Sequence, residues 1–207
     1  ELILSITGSA GIESSELLQE LWSGYGKILR VSLRGGADAS IVVKLISLPL
    51  HSRHPRGWNT DRSHARKVKS YEVETSWYRD WSAKCGERCR VPRLLAFEQL
   101  GDETLLVLED LDAAGFPARD LSEVEGCLHW LAHFHATFMG EVPEGLWETG
   151  TYWHLATRAD EWDALEAGPL KKAAGEIDAR LTQATYQTIV HGDAKLANFC
   201  FSPSGER

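Results

Sequence analysis

The stretch TIVHGDAKLANFCF, residues 188–201, decides the predicted fold more than any other part of the chain. Short apolar runs at 188–190 and 199–201 flank a polar loop, which predicts two strands that hold the loop at both ends. In the loop, an aspartate is followed by a lysine two residues later and by an asparagine five residues later. Taken alone, a His-Gly-Asp triplet is as typical of a plain hairpin with an Asx turn as of a loop that carries chemistry. The complete spacing instead favours a loop that carries chemistry.

These three side chains suit the transfer of a phosphoryl group. Asp193 can orient an attacking hydroxyl and accept its proton, and Lys195 can neutralise charge on the transferred group. The side-chain oxygen of Asn198 can bind Mg²⁺. We therefore predict Asp193 and Lys195 as catalytic residues and Asn198 as a metal ligand.

A lysine on a strand provides the cation that a nucleotide triphosphate requires. Lys44 lies in the apolar run IVVKLI, residues 41–46, so its ammonium group is predicted to be partly buried and to need an anion. A helix predicted at about 63–84 places Glu74 as the lone carboxylate on an aromatic face. That face is formed by Tyr71, Glu74, Tyr78 and Trp81, whereas Glu72 and Asp80 are predicted to face solvent. We expect a Lys44–Glu74 ion pair like that of kinases, the alternative being two unrelated charged residues.

Two further segments are predicted to contact a nucleotide. Gly24 and Gly26 could let the backbone approach a phosphate, although an ordinary tight turn explains them equally well. The run LLVLEDL, residues 105–111, ends where the pattern changes from strand to helix. If this change marks a hinge, Glu109 would offer its carbonyl and Leu111 its amide to adenine.

The remaining pattern predicts a β-rich first part and a helical second part, which is an α+β fold class. A helix is predicted at 12–22, followed by strands at about 28–33 and 40–46 that pair as a hairpin, and by the helix at about 63–84. Strands at 94–100 and 104–110 are predicted to form a second hairpin. Two further helices are predicted at about 122–139 and 169–184, and a capping box of Ser122 and Glu125 opens the first of them.

Five of these segments resemble the aminoglycoside phosphotransferase and choline kinase superfamily, and within it the ecdysteroid-kinase-like branch and its bacterial relatives. They keep the family's order from about residue 20 to the end: VVKL at 42–45, SYEVETSWYRDW at 70–81, LLVLEDL at 105–111, LAHFHATF at 131–138 and VHGDAKLANFCF at 190–201. The last segment is the most specific, and the glycine turn is the least. The resemblance implies a protein-kinase-like, two-lobed fold, with an antiparallel-sheet nucleotide-binding lobe at 1–111 and a mainly helical catalytic lobe beginning at 112.

The resemblance also implies a function, transfer of the γ-phosphoryl group of ATP to a hydroxyl of a small molecule, with ATP and Mg²⁺ bound. In the family, a strand carrying a second Mg²⁺ ligand, an aspartate, follows the segment that matches residues 190–201. We expect that ligand, most of the acceptor pocket and the rest of the large lobe beyond Arg207. The acceptor stays open among hydroxylated amines, sugars, sterols and aminoglycosides, and so does the oligomeric state. A non-catalytic nucleotide-binding or scaffold protein on the same fold is the alternative.

Composition narrows the class of protein. Lys and Arg total 22 against 30 Asp and Glu, a net charge of −8, which argues against a nucleic-acid binder. No apolar stretch approaches the roughly 18 residues that cross a bilayer, and no secretory signal is evident in a sequence that starts at Glu1, so no membrane contact is expected. The four cysteines favour reduced thiols and a cytoplasmic location over a disulfide or a Cys85–Cys89 zinc site.

Three weaker patterns have an ordinary structural explanation beside the functional one. The basic segment 51–69 is either a cationic flap that binds an anionic substrate or the nucleotide phosphates, or a solvated loop. The histidines at 129 and 133 have a spacing that suits a metal but lack an acidic partner, so packing is favoured and a metal-dependent hydrolase is not. Three tryptophans could line an acceptor pocket or pack the lobe: Trp147, Trp153 and Trp162.

Overall fold

The computed structural model describes residues 1–21, 24–47, 61–117, 124–150, 155 and 158–203, without the side chains of 61–63 and 160. The chain divides into two compact units. The first comprises Glu1–Asp120 with Cys200–Arg207, and the second Leu121–Phe199. The lobe limits predicted from the sequence, 1–111 and 112–207, stay a prediction.

The first unit is built on an antiparallel sheet of five strands, preceded by a short helix. The helix is α1 (Leu2–Thr7), and the strands are β1 (Gly11–Glu20), β2 (Gly26–Arg34), β3 (Ser40–Ser47), β4 (Leu94–Leu100) and β5 (Glu103–Glu109). Their order across the sheet is β1-β2-β3-β5-β4, and each neighbouring pair is antiparallel. Both predicted hairpins, β2–β3 and β4–β5, are confirmed, and so is the α+β class.

The helix predicted at 12–22 is wrong, because residues 11–20 form strand β1. Two register shifts interrupt its pairing with β2, one between Ile12 and Ser14 and one between Leu17 and Gln19. Each irregularity moves the following side chains to the other face, so the sequence loses the strict alternation that identifies a strand. β1 is also an edge strand with mostly exposed side chains, so its apolar spacing does not report burial.

Both faces of the central strands are buried, which explains their nearly continuous apolar runs. One face packs Ile46 and Leu106 with Tyr71, and the opposite face packs Ile41 and Val107. Because alternate residues of a strand point to opposite faces, Lys44 lies on the same face as Ile46. The sheet therefore places the Lys44 side chain in an apolar setting.

The helix predicted at 63–84 is largely confirmed. α2 spans Asp61–Ser76 and continues as a π turn, Trp77–Trp81, and a 3₁₀ turn, Ser82–Lys84. On the predicted inner face Tyr71 and Trp81 are buried, and Tyr78 packs against the same core. Glu72 and Asp80 are exposed, as the spacing predicts. The helix therefore presents Glu74 on its inner face.

The second unit contains three helices in its described part. They are α3 (Val124–Thr137), α4 (Ala159–Ala164) and α5 (Pro169–Thr182). α3 and α5 agree with the predicted helices at 122–139 and 169–184 within a few residues, while Ser122 of the predicted capping box lies outside the described residues. The buried side chains of this unit are mostly aromatic and line α3 and the loop segment: Cys127, Phe134, Phe138, Ile189 and Phe199.

Gly26 is required by the packing of the sheet. Its φ is +130°, and a Cβ at this position would lie 2.0 Å from the Leu45 carbonyl oxygen on β3. Gly24 also has a positive φ, +76°, but an added Cβ would meet nothing within 4 Å. We expect Gly26→Ala to lower the free energy of unfolding by about 2 kcal/mol through strain and overpacking, and Gly24→Ala by about 1 kcal/mol through its backbone alone. Urea titration of both variants checks this, and equal losses would contradict it.

Candidate active site

Lys44 and Glu74 form the ion pair that the sequence predicts. β3 places Lys44 opposite Ile28 of β2 and Leu106 of β5, between two apolar strands. Its Nζ donates hydrogen bonds to both carboxylate oxygens of Glu74, each at 2.6 Å. The Lys44 side chain is only 12% exposed and that of Glu74 30%, so the pair is shielded from water. A buried ammonium with its anion in place is held at a fixed point, where it can bind a second anion.

The loop at 191–198 brings Asp193, Lys195 and Asn198 together. The Asn198 Nδ2 donates to the Asp193 carbonyl oxygen at 2.8 Å and to Asp193 Oδ2 at 2.9 Å. Lys195 Nζ lies 3.3 Å from the same Oδ2. The Asp193 side chain is 48% exposed, so its carboxylate is fixed from one side and open to solvent on another. This arrangement can orient a hydroxyl group and accept its proton.

The two strands predicted to flank this loop are not formed in the described residues. An isolated bridge joins Thr188 to Met139, Phe201 is also a single bridge residue, and residues 196–198 form a 3₁₀ turn. Aromatic packing supports the loop instead, because the Trp130 ring contacts both His191 and Phe199, with centroids 5.9 Å and 5.6 Å apart. Isolated short segments gain little from a strand conformation without a sheet to join, so packing against α3 replaces pairing.

The neutral form of His191 helps to position Asp193. Burial lowers the pKa of His191, and the nearby Asp193 charge opposes this effect without reversing it. The His191 Nδ1 accepts a hydrogen bond from the Asp193 amide at 3.2 Å, a role that requires this nitrogen to be unprotonated. Gly192 between them has a φ of +79°, which lets the chain turn sharply enough for this contact.

Asn198 fits one place in a Mg²⁺ coordination shell. Because its Nδ2 is engaged with Asp193, its side-chain oxygen remains as the acceptor. Mg²⁺ usually takes one or two carboxylates as well, and the described part of the chain contains no group of three or more His, Cys, Asp or Glu side chains that could hold a metal. The fit is therefore incomplete, and no chemical step below depends on the metal.

The glycine turn is a tight turn closed by backbone hydrogen bonds. The Leu21 amide donates to the Gly26 carbonyl at 2.9 Å, and the Gly24 amide donates to the Leu21 carbonyl at 3.2 Å. Tyr25 between the glycines is buried, and its hydroxyl is hydrogen-bonded to His64 Nδ1 on α2. The two glycines therefore form a tight turn, and a phosphate contact at Gly24 and Gly26 stays a prediction.

A cavity of about 500 Å³ beside this turn lies on the wrong face of the sheet for the predicted nucleotide site. It is lined by Leu29 and Leu45 as well as by both glycines. Leu45 points to the face opposite Lys44, its neighbour on β3. The cavity therefore gives no support to a phosphate site at Lys44.

The predicted hinge residues lie at the end of β5. The Glu109 carboxylate is buried and held by Arg90 at 2.7 Å and Arg93 at 3.4 Å. After Glu109 the chain turns, and the Leu111 carbonyl accepts a hydrogen bond from the Phe116 amide at 2.8 Å. The side chain of Glu109 is thus structural, and the adenine contacts predicted for its carbonyl and for the Leu111 amide stay a prediction.

The sequence alone does not reveal a buried charge network beside the end of β5. Asp110 is 3% exposed and accepts hydrogen bonds from Arg30 Nε at 2.7 Å and from Ser40 Oγ at 2.6 Å. Arg30 also donates to Asp112. Burial alone would raise the pKa of Asp110, but the hydrogen bonds from Arg30 and Ser40 and the Arg30 charge lower it overall. The network ties the end of β5 to β2 and β3.

Asp110→Asn should lower the free energy of unfolding by about 2 kcal/mol at pH 7, the scale of a hydrogen bond to a charged group. Because the folded-state pKa of Asp110 is lowered, its stabilisation is present above the ordinary value of 3.8 and is lost as the pH falls through the folded-state value. The difference between the wild type and Asp110→Asn should therefore shrink from pH 5 to pH 3. Urea titrations check this, with Asp102→Asn in an exposed turn as the control, and a difference that stays constant with pH would contradict it.

The weaker sequence candidates remain without an assigned role. None of the four cysteines, all within the described residues, forms a disulfide. Burial raises the pKa of Cys85 to about 12. The His129 side chain is exposed, and its Nε2 lies 3.9 Å from Glu125 Oε1. Trp147 is half-buried and Trp162 borders on exposed, while Trp153 and residues 51–60 of the basic segment lie outside the described residues. No helix in the described part of the chain is long and apolar enough to span a membrane.

Comparison with known proteins yields only distant structural similarity. No family model matches the chain, and no curated protein matches it. Two solved structures of WbdD, one of them in complex with a kinase inhibitor, match with 19% and 18% identity and TM-scores of 0.35 and 0.34. Each similarity extends over 62% of this chain, but over only 27% of the matched chain in the first structure and 26% in the second. A third, of "the bifunctional kinase-methyltransferase WbdD", has 20% identity and a TM-score of 0.31 over 53% of this chain and 24% of that one. The chain thus spans about a quarter of these proteins' length, and similarity at this level decides neither fold nor function.

Proposed function

We propose that the protein is an ATP-dependent phosphotransferase of the protein-kinase-like class that moves the γ-phosphoryl group to a hydroxyl of a small molecule. The observation that carries this proposal is the arrangement of the loop, where Asn198 holds the Asp193 backbone and carboxylate and Lys195 lies 3.3 Å from that carboxylate. Kinases carry out phosphoryl transfer with a base that orients the acceptor hydroxyl, cations that neutralise phosphate charge and an asparagine that binds Mg²⁺. The loop brings one residue of each kind together.

Lys44 would bind the α- and β-phosphates of ATP in this proposal. Glu74 holds the Lys44 ammonium in a fixed position in an apolar setting, which supports such a role. The Glu109 carbonyl and the Leu111 amide would bind adenine, and the turn at Gly24 and Gly26 would lie against the phosphates.

In the transfer step Asp193 accepts the proton of the acceptor hydroxyl. The hydroxyl oxygen forms a bond to the γ-phosphorus while the bond between the γ-phosphorus and the bridging β–γ oxygen breaks, releasing ADP. Lys195 offsets the negative charge on the transferred group. A bound Mg²⁺, with Asn198 as one ligand, would neutralise phosphate charge.

The finer assignment rests on the sequence resemblance. On that resemblance we propose membership of the aminoglycoside phosphotransferase and choline kinase superfamily, near the ecdysteroid-kinase-like branch. The acceptor is then a hydroxylated amine, a sugar, a sterol or an aminoglycoside, and neither a nucleic acid nor a membrane is a partner. Four cysteines that remain as thiols support a cytoplasmic location.

A screen of such acceptors with the full-length protein tests the proposal. ADP release should depend on both ATP and one class of acceptor. Nucleotide binding without acceptor-dependent ADP release across all four classes would contradict the proposal and favour the non-catalytic alternative.

A further inference from the structure

Lys67 lies beside the Lys44–Glu74 pair, and among the described residues it has no anion of its own. Lys67, Tyr71 and Glu74 are spaced four and three residues apart on α2, so they share its inner face. Lys67 Nζ lies 5.0 Å from the centre of the Tyr71 ring, and Lys44 Nζ lies 5.4 Å from the same point. Two ammonium groups therefore lie on one aromatic side chain.

The charges at this place do not balance. Glu74 is the one carboxylate bonded to this cluster among the described residues, and both of its oxygens bind Lys44. Lys67 has neither an ion pair nor a hydrogen bond with any described residue. Burial lowers the pKa of Lys67, and the Lys44 charge lowers it further against the weaker opposing effect of Glu74. The cluster thus carries one excess positive charge that is partly removed from water.

Removing the Lys67 charge partly from water costs free energy. The contact with the Tyr71 ring offsets only part of this cost, because a cation–π contact is worth about 0.5–2 kcal/mol. The Tyr71 hydroxyl is also buried and has no hydrogen-bond partner among the described residues. An excess cation and an unpaired donor on adjacent side chains are the features of a site for an oxyanion.

We propose that Lys67 binds the same polyphosphate chain as Lys44, so that α2 contributes a phosphate ligand of its own in addition to the glutamate that positions Lys44. The identity of that polyphosphate as ATP rests on the proposed function. The chemistry of the site, two ammonium groups beside a buried hydroxyl, is equally able to bind inorganic tripolyphosphate.

The test measures binding of ATP, tripolyphosphate and adenosine to the full-length protein at low salt. Lys67→Met keeps the aliphatic contact with Tyr71 and removes the charge, so affinity for ATP and tripolyphosphate should fall about 10-fold, the scale of one charge-assisted hydrogen bond. Adenosine affinity should not change, and Lys67→Arg should bind like the wild type.

Lys69 provides the matched control. It lies on the same helix, is 44% exposed and pairs with Glu72 at 3.6 Å, so Lys69→Met should change polyphosphate affinity less than about two-fold. Equal effects of Lys67→Met and Lys69→Met would overturn the inference.

The outcomes separate this inference from the proposed function. If the wild type phosphorylates an acceptor and Lys67→Met binds ATP normally, the inference fails alone. If tripolyphosphate binds through Lys67 but no acceptor is phosphorylated, the inference holds and the proposed function fails. If neither ATP nor tripolyphosphate binds, both fail.

A second measurement avoids variants altogether. Tripolyphosphate should protect Lys67 of the wild-type protein from acylation, detected by mass spectrometry of peptides, while Lys69 should be acylated with or without it. Equal acylation of Lys67 in both conditions would overturn the inference.

Discussion

Asp193→Asn should slow phosphoryl transfer by roughly 10²–10⁴-fold, the usual scale for a lost general base. The substituted amide cannot accept the proton of the acceptor hydroxyl, but its oxygen can still accept the hydrogen bond that Asn198 donates to Asp193 Oδ2. The position is also half exposed. Thermal stability and ATP affinity should therefore stay close to those of the wild type.

Steady-state turnover with a saturating acceptor is the measurement for this variant. Asp163→Asn, an exposed aspartate in the same unit, is the control and should keep full activity. Turnover of Asp193→Asn within a few-fold of the wild type would exclude Asp193 as the base. A loss of folding, seen as a lowered melting temperature, would instead give the carboxylate a structural role.

Lys44→Ala should abolish productive ATP binding and also cost about 3 kcal/mol of stability. The second effect arises because removing one partner of a shielded ion pair leaves the Glu74 charge without its cation. Glu74→Ala should be costly for the same reason, and the double variant should lose much less than the sum of the two.

Urea titration of the wild type, the two single variants and the double variant gives the coupling energy between Lys44 and Glu74. The exposed pair Lys69–Glu72 provides a matched cycle, in which coupling should stay below about 1 kcal/mol. Additive losses at Lys44 and Glu74 would mean that the two side chains are not coupled in solution, and the kinase-like role of the pair would fall with them.

The parts of this structure that could be predicted from sequence are those with a regular local pattern. The apolar run around Lys44 and the aromatic face of α2 predict the Lys44–Glu74 contact, because burial of a lysine requires a nearby carboxylate. The hairpins β2–β3 and β4–β5 are readable because their apolar runs are separated by glycine-containing turns.

The parts that could not be predicted depend on contacts between distant residues or on broken periodicity. β1 resembles a helix in sequence because its two register shifts disturb the alternation of a strand. The Asp110 network joins Asp110 to Ser40, 70 positions away in the chain, and to Arg30, 80 positions away. No local sequence motif therefore reveals it.

The packing that holds the candidate loop in place could likewise not be predicted from the sequence. Its spacing of aspartate, lysine and asparagine is visible in the sequence, but the predicted flanking strands are replaced by packing on Trp130 from α3. The charge imbalance at Lys67 likewise emerges only when β3 and α2 lie side by side.

The central claim, phosphoryl transfer that depends on the loop, is tested most directly with ATP labelled on its γ-phosphorus. The full-length protein is incubated with labelled ATP and the acceptor classes named above, and the products are separated. We predict that the label moves to the hydroxyl of one acceptor with the wild type and with Asp163→Asn, and that Asp193→Asn transfers it at least about 100-fold more slowly. Bound ATP whose label reaches no acceptor, or transfer at the wild-type rate by Asp193→Asn, would contradict the account.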